Sequence, residues 1–63
     1  MSRLTRNDVI NEVVTAIIVG DVSGSTNIPA VVSECYKPVS VGGRKYYERA
    51  DINIIESVRR NTK

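Results

Sequence analysis

The chain has 63 residues, a formal net charge of +2 at pH 7, a single cysteine and no histidine. A chain of this length forms one domain, spanning residues 1–63, and buries only roughly 60% of the surface that it exposes when unfolded. The lone Cys35 excludes an intrachain disulfide, and the absence of histidine removes the commonest zinc ligand and the commonest general base. We therefore expect no enzymatic activity, no metal and no cofactor.

The location of the protein is indicated by what the sequence lacks. An unpaired cysteine suits a reducing cytoplasm. The opening MSRLTRND is polar where a signal peptide has its apolar segment, and no apolar run approaches the roughly 20 residues of a membrane span. We expect a cytoplasmic protein that has no membrane partner.

Basic side chains are concentrated in the second half of the chain. Residues 37–63 carry seven basic and three acidic side chains, whereas residues 1–20 are balanced. A clustered basic patch is typical of nucleic-acid binders, and lysines and arginines that are merely solvated are the alternative.

The first predicted element is a helix near residues 6–18. Thr5 is a candidate N-cap, and Asp8 completes an acidic variant of the capping box. Gly20 could supply the left-handed stop. Residues 13–19 are mostly β-branched and would also suit a buried strand. The apolar residues at helical spacing are Val9, Ile10, Val13, Val14 and Ile17.

A second helix is predicted near residues 27–36. Pro29 falls in its first turn, where a missing amide hydrogen costs little, and Thr26 or Asn27 can cap it. The apolar side, at i, i+3, i+4 and i+7, consists of Ile28, Val31, Val32 and Cys35. The opposite side, expected to be exposed, carries Ala30, Ser33, Glu34 and Lys37.

A β hairpin follows, because KPVSVGGRKYY contains two short β runs around Gly42 and Gly43. A two-residue turn would pair Val39 with Tyr46, and a three-residue turn would pair it with Tyr47, so the register is open.

A third helix is predicted at the end of the chain. The basic residues Arg59, Arg60 and Lys63 lie near its C-terminal end, where the negative end of the helix dipole favours positive charge. Half of its cylinder is covered by Ile52, Ile54, Ile55 and Val58.

This order of elements, mainly α with a small β hairpin, is that of a winged helix-turn-helix. The stretch from 38 to 59 resembles the wing and the following helix of the excisionase and MerR-like winged helix proteins. The resemblance is carried by Pro38, Val39, Gly42, Gly43, Arg44, Tyr47, Asp51 and Ile52. The N-terminal half departs from that family, since its first helix is longer, its connection is looser and its second helix exposes Glu34 rather than arginine.

The resemblance implies a small double-stranded DNA-binding protein, either a phage or prophage-type excisionase, which is a recombination directionality factor, or a transcriptional regulator. Further partners would be a second copy, assembled as a dimer or cooperatively on DNA, or a recombinase. Tyr47 would pack beneath the hairpin against helix three, and Asp51 would lie in the first turn of that helix. The alternative is a protein-interaction module, such as a phage inhibitor of a host protein.

The expected DNA contacts form three groups. The wing would bind the backbone or the minor groove through Gly42, Gly43, Arg44 and Lys45, while Asn27, Ser33 and Glu34 are candidates for base edges. Secondary phosphate contacts would come from Lys37, Arg49, Arg6 and the C-terminal Arg59, Arg60 and Lys63.

Overall fold

The computed structural model describes residues 3–63, which form three helices and one two-stranded antiparallel hairpin. In chain order these are α1 (Arg6–Gly20), α2 (Ile28–Cys35), β1 (Tyr36–Val41), β2 (Arg44–Arg49) and α3 (Ile54–Arg60). The predicted sequence of helix, helix, hairpin and helix is therefore confirmed.

Helix α1 begins at the predicted capping box. The Thr5 hydroxyl accepts a hydrogen bond from the Asp8 amide, and the Asp8 carboxylate accepts one from the Thr5 amide, which lowers the pKa of Asp8. The β-branched run is helical, so the strand alternative is wrong. The expected stop at Gly20 is also wrong, because Asp21 takes the left-handed conformation, with φ 49°, and its amide donates to the Ile18 carbonyl at 3.2 Å. Aspartate tolerates this region better than most residues.

Helix α2 leads into the hairpin without a loop. Asn27 caps the helix by accepting a hydrogen bond from the Ala30 amide at 3.3 Å, and β1 starts immediately after the last helical residue. Gly42 and Gly43, with φ of 57° and 79°, form a two-residue turn, and Val39 pairs with Tyr46. The shorter of the two predicted registers is therefore the one adopted.

Helix α3 starts later than predicted. Asn53 is its N-cap, and its side-chain oxygen accepts from the amides of Ile55 at 2.9 Å and Glu56 at 3.4 Å. Asp51 and Ile52 therefore lie in a bend before the helix, and the expected place for Asp51 in the first helical turn is wrong.

The core forms where the three helices meet. Val13, Val31 and Val58, one from each helix, are completely buried. The remaining buried hydrophobic residues are Leu4, Val9, Ala16, Cys35 and Tyr36. Tyr36 is the only one of these from the hairpin, so the hairpin is anchored to the core at its base and its far half extends beyond it.

Backbone pairing holds both ends of the described chain. Leu4 and Tyr47 exchange two hydrogen bonds of 2.8 Å at the edge of β2 that does not face β1. Near the other end, Lys63 donates to the Ser25 carbonyl at 3.0 Å, and the Thr26 and Thr62 hydroxyls lie 3.0 Å apart. The segment that connects α1 to α2 is thereby fixed against the last residues of the chain.

Gly24 is the position where this pairing is most sensitive to substitution. Its φ is 110°, and an added Cβ would lie 2.0 Å from the Lys63 carbonyl oxygen. We expect Gly24→Ala to lower the free energy of unfolding by about 1 to 3 kcal/mol, measured by urea denaturation. Gly20→Ala is the matched control, because its Cβ would meet only ordinary contacts from 3.6 Å and alanine favours a helix by up to about 1 kcal/mol. Equal stability of the two variants would contradict the prediction.

Candidate nucleic-acid interface

The hairpin tip is slim and projects into open space. Apart from their chain neighbours, no atoms of residues 3–63 lie within 4 Å of where a Cβ added to Gly42 or Gly43 would be. Both residues are exposed and carry no side chains, so a partner molecule can approach the backbone here closely.

Two cations leave this tip on opposite faces of the hairpin. Arg44 pairs with Val41, and Lys45 pairs with Ser40. Because successive strand residues point to opposite faces, the guanidinium and the ammonium groups emerge on different sides. Both side chains are exposed, and within residues 3–63 the salt bridges are those of Arg49 with Glu12 and Arg60 with Glu34, so neither tip cation is neutralised.

The tip is also distant from the hairpin's own negative charge. Glu48 is the single acidic residue of the two strands, and it is separated from Lys45 and Arg44 by about 10 to 13 Å along the strand. This separation exceeds the Debye length of about 8 Å at physiological ionic strength. The electrostatic potential at the tip is therefore set by the two cations.

Arg6 extends the basic surface, whereas Lys37 is compensated. Arg6 is exposed at the start of α1 and borders the same groove as Tyr47. Tyr47 lies two residues from Lys45 and hence on the same hairpin face. Lys37 stands directly opposite Glu48 across the strands, so its charge is partly offset.

Arg49 connects the base of the hairpin to α1. Its guanidinium forms an ion pair with Glu12, whose carboxylate also accepts a hydrogen bond from the Tyr36 hydroxyl at 2.8 Å. Burial, together with this bond, raises the pKa of Tyr36 above its ordinary value. Arg49 was expected to contact phosphate, and the structure gives it an intramolecular partner instead.

The three residues predicted to read base edges are not brought together. Asn27 uses its side-chain oxygen to cap α2, and Ser33 is exposed. Glu34 turns toward α3, where it accepts hydrogen bonds from Ser57 at 2.7 Å and Asn61 at 3.3 Å and forms an ion pair with Arg60. The side of α2 that was expected to be exposed is therefore exposed at Ser33 and Lys37 but only partly exposed at Ala30 and Glu34.

Ser57 connects the Glu34 cluster to the protein interior. It is the buried polar residue of the described chain, and its hydroxyl donates to Glu34 across the contact of α2 with α3. The hydrogen bonds that Glu34 accepts from Arg60, Ser57 and Asn61, in this order of importance, lower the pKa of its carboxyl group to about 2. No local sequence signal marks this cluster, because its partners lie at least 23 residues away.

The C-terminal basic residues divide between two environments. Arg59 and Arg60 lie in the last turn of α3, the end of a helix where positive charge is favourable. Arg60 is paired with Glu34, while Arg59 is exposed and Lys63 holds its backbone against Ser25.

An apolar groove of about 560 Å³ lies between α1, α2 and the inner face of the hairpin. Tyr47 lines this groove, so its predicted packing against helix three is replaced by packing on the side of α1 and α2. Its other apolar lining residues are Val9, Ile10, Ile28, Pro29, Val32, Tyr36 and Pro38.

Comparisons with protein-family models, curated proteins and solved structures found no match for this chain. Within residues 3–63, no helix combines the length and the apolar character needed to cross a membrane.

The role of Glu34 can be tested through the pH dependence of stability. Because its pKa falls from 4.5 to about 2 on folding, the carboxylate stabilises the folded protein above pH 4.5, and this contribution is lost as the pH drops toward 2. We expect the urea midpoint of Glu34→Gln to change less than that of the wild type between pH 5 and 2. Parallel pH profiles for the two proteins would show that Glu34 is not held as described.

Proposed function

We propose that this chain is a small double-stranded DNA-binding protein whose hairpin acts as the wing of a winged helix-turn-helix. One observation carries the proposal: Arg44 and Lys45 emerge unpaired on opposite faces of a slim, projecting turn. The resemblance of residues 38–59 to excisionase and MerR-like proteins supports the same assignment. A phage or prophage-type recombination directionality factor or transcriptional regulator is the class that this implies.

Cations on both faces suit a duplex groove. A groove has a phosphate backbone on each side, and the minor groove is only about 6 Å wide, so the slimmest part of the hairpin is the part that fits. With the Gly42–Gly43 turn at the groove, Arg44 faces one phosphate strand and Lys45 the other. Arginine can bind phosphate through two parallel hydrogen bonds, while lysine contributes a point charge.

Helix α2 contributes little positive charge to such an interface. It contains no lysine or arginine, and its Glu34 is committed to Arg60 and Ser57. Ser33 is the exposed polar side chain that remains for base contacts. Since phosphate contacts position a protein and base contacts specify sequence, binding is dominated by the wing, with a modest sequence preference.

The salt dependence of binding tests the wing directly. With Arg44 and Lys45 at phosphates, the slope of log affinity against log salt should be near −1.8, from about −0.9 per contact. Arg44→Ala should reduce the magnitude of this slope by about 0.9, measured by fluorescence anisotropy with a labelled duplex.

Arg44→Lys is the matched control, because it keeps the charge and should keep the slope while losing the two-bond contact. A slope that is unchanged in Arg44→Ala would remove the tip from the interface. Absence of any salt-sensitive binding by the wild type would reject DNA binding and favour the protein-interaction alternative.

A further inference from the structure

Helix α1 carries an apolar stripe that the described chain covers only in part. Ile10, Val14 and Ile18 are 44%, 44% and 72% exposed. Their spacing of four residues places them on one face of the helix. An exposed apolar surface of this kind, on a protein with so small a core, indicates a contact with another molecule.

Opposite charges flank the two ends of this stripe. Arg6 lies one turn before Ile10, and Asp21 follows the helix three residues after Ile18. Both residues are exposed, and neither side chain has an ion-pair partner among residues 3–63. The stripe therefore has a positive start, an apolar centre and a negative end.

We propose that the stripe binds the same stripe of a second copy, with the two α1 helices antiparallel and a two-fold axis at Val14. In this register Val14 faces Val14 of the second copy, and Ile10 faces its Ile18. Arg6 then lies beside Asp21 of the second copy, so the charges at both ends are complementary. A surface that matches itself in this way is what a two-fold symmetric interface requires.

The charges of Arg6 and Asp21 favour the antiparallel arrangement and a second copy of the same chain as the partner. A parallel pair would place Arg6 beside Arg6 and Asp21 beside Asp21, which is repulsive. Antiparallel packing also opposes the two helix dipoles favourably. Ile10 lines the apolar groove as well, so the contact can continue from α1 onto Ile28 and Val32 of α2.

Sedimentation velocity without DNA tests this dimer separately from the proposed function. The wild type should shift from monomer to dimer between about 10 μM and about 1 mM, as expected for a small interface. Val14→Lys, which places two like charges at the axis, should weaken the dimer about tenfold or more. Ile18→Lys should have the same effect, and its 72% exposure means that the monomer fold tolerates it.

Val19→Lys is the matched control on the same helix. Val19 is 62% exposed but points about 140° away from Val14, toward the side of Ile54 and Ile55. It should change dimerisation by less than about twofold. A wild type that remains monomeric at about 1 mM, or equal weakening by the two α1 valine substitutions, would overturn the proposal.

The end charges provide a second readout. Arg6→Glu should weaken the dimer about fivefold, since it faces Asp21 of the second copy. Adding Asp21→Asn, which tolerates the left-handed backbone at this position, should restore part of that loss. Strictly additive effects of the two substitutions would contradict the antiparallel register.

Discussion

Two carboxylates, Glu12 and Glu34, hold together elements that the small core joins only partly. Glu12 links α1 to the base of the hairpin through Tyr36 and Arg49, and Glu34 links α2 to α3 through Ser57 and Arg60. Each carboxylate also accepts a hydrogen bond from the hydroxyl of a buried residue, Tyr36 or Ser57. Without this acceptor the hydroxyl would be unsatisfied, which would destabilise the fold. The eight buried hydrophobic side chains among residues 3–63 then determine how the three helices meet.

The two carboxylates also determine which basic side chains are neutralised by an ion pair. They neutralise Arg49 and Arg60, which in the sequence belong to the basic cluster of residues 37–63. Among the cations of residues 3–63 that form no salt bridge, Arg44 and Lys45 are adjacent in sequence and lie at the end of the hairpin farthest from the core. A modest net charge thus becomes a local positive field at one projecting point, which is the property that long-range attraction to an anionic partner uses.

Features set by near neighbours in the chain could be predicted from the sequence, and features set by distant contacts could not. The Thr5–Asp8 capping box, Pro29 in the first turn of α2 and the Gly42–Gly43 turn each involve residues a few positions apart. The partners of Glu34 and Arg49 lie 23 to 37 residues away, so a pattern search assigns those side chains to solvent or phosphate.

The predictions of two helix boundaries were wrong for a different reason. Glycine and aspartate are good local candidates for a helix stop and a helix start, yet Asp21 and Asn53 take those roles. Gly20 is instead the buried last residue of α1, and the Asn53 side chain accepts two backbone hydrogen bonds at the start of α3. The sequence likewise leaves the hairpin register open, because the register depends on whether the turn has two or three residues.

The direct passage from α2 into β1 has a mechanical consequence. Because Cys35 and Tyr36 are both buried and no loop separates them, α2 and the hairpin are joined without a flexible linker. The hairpin therefore cannot rotate about a flexible linker. Any adjustment to a bound molecule must come from bending of the outer half of the hairpin or from deformation of the bound molecule. A target that is already bent or easily bent would be accommodated at the lowest cost.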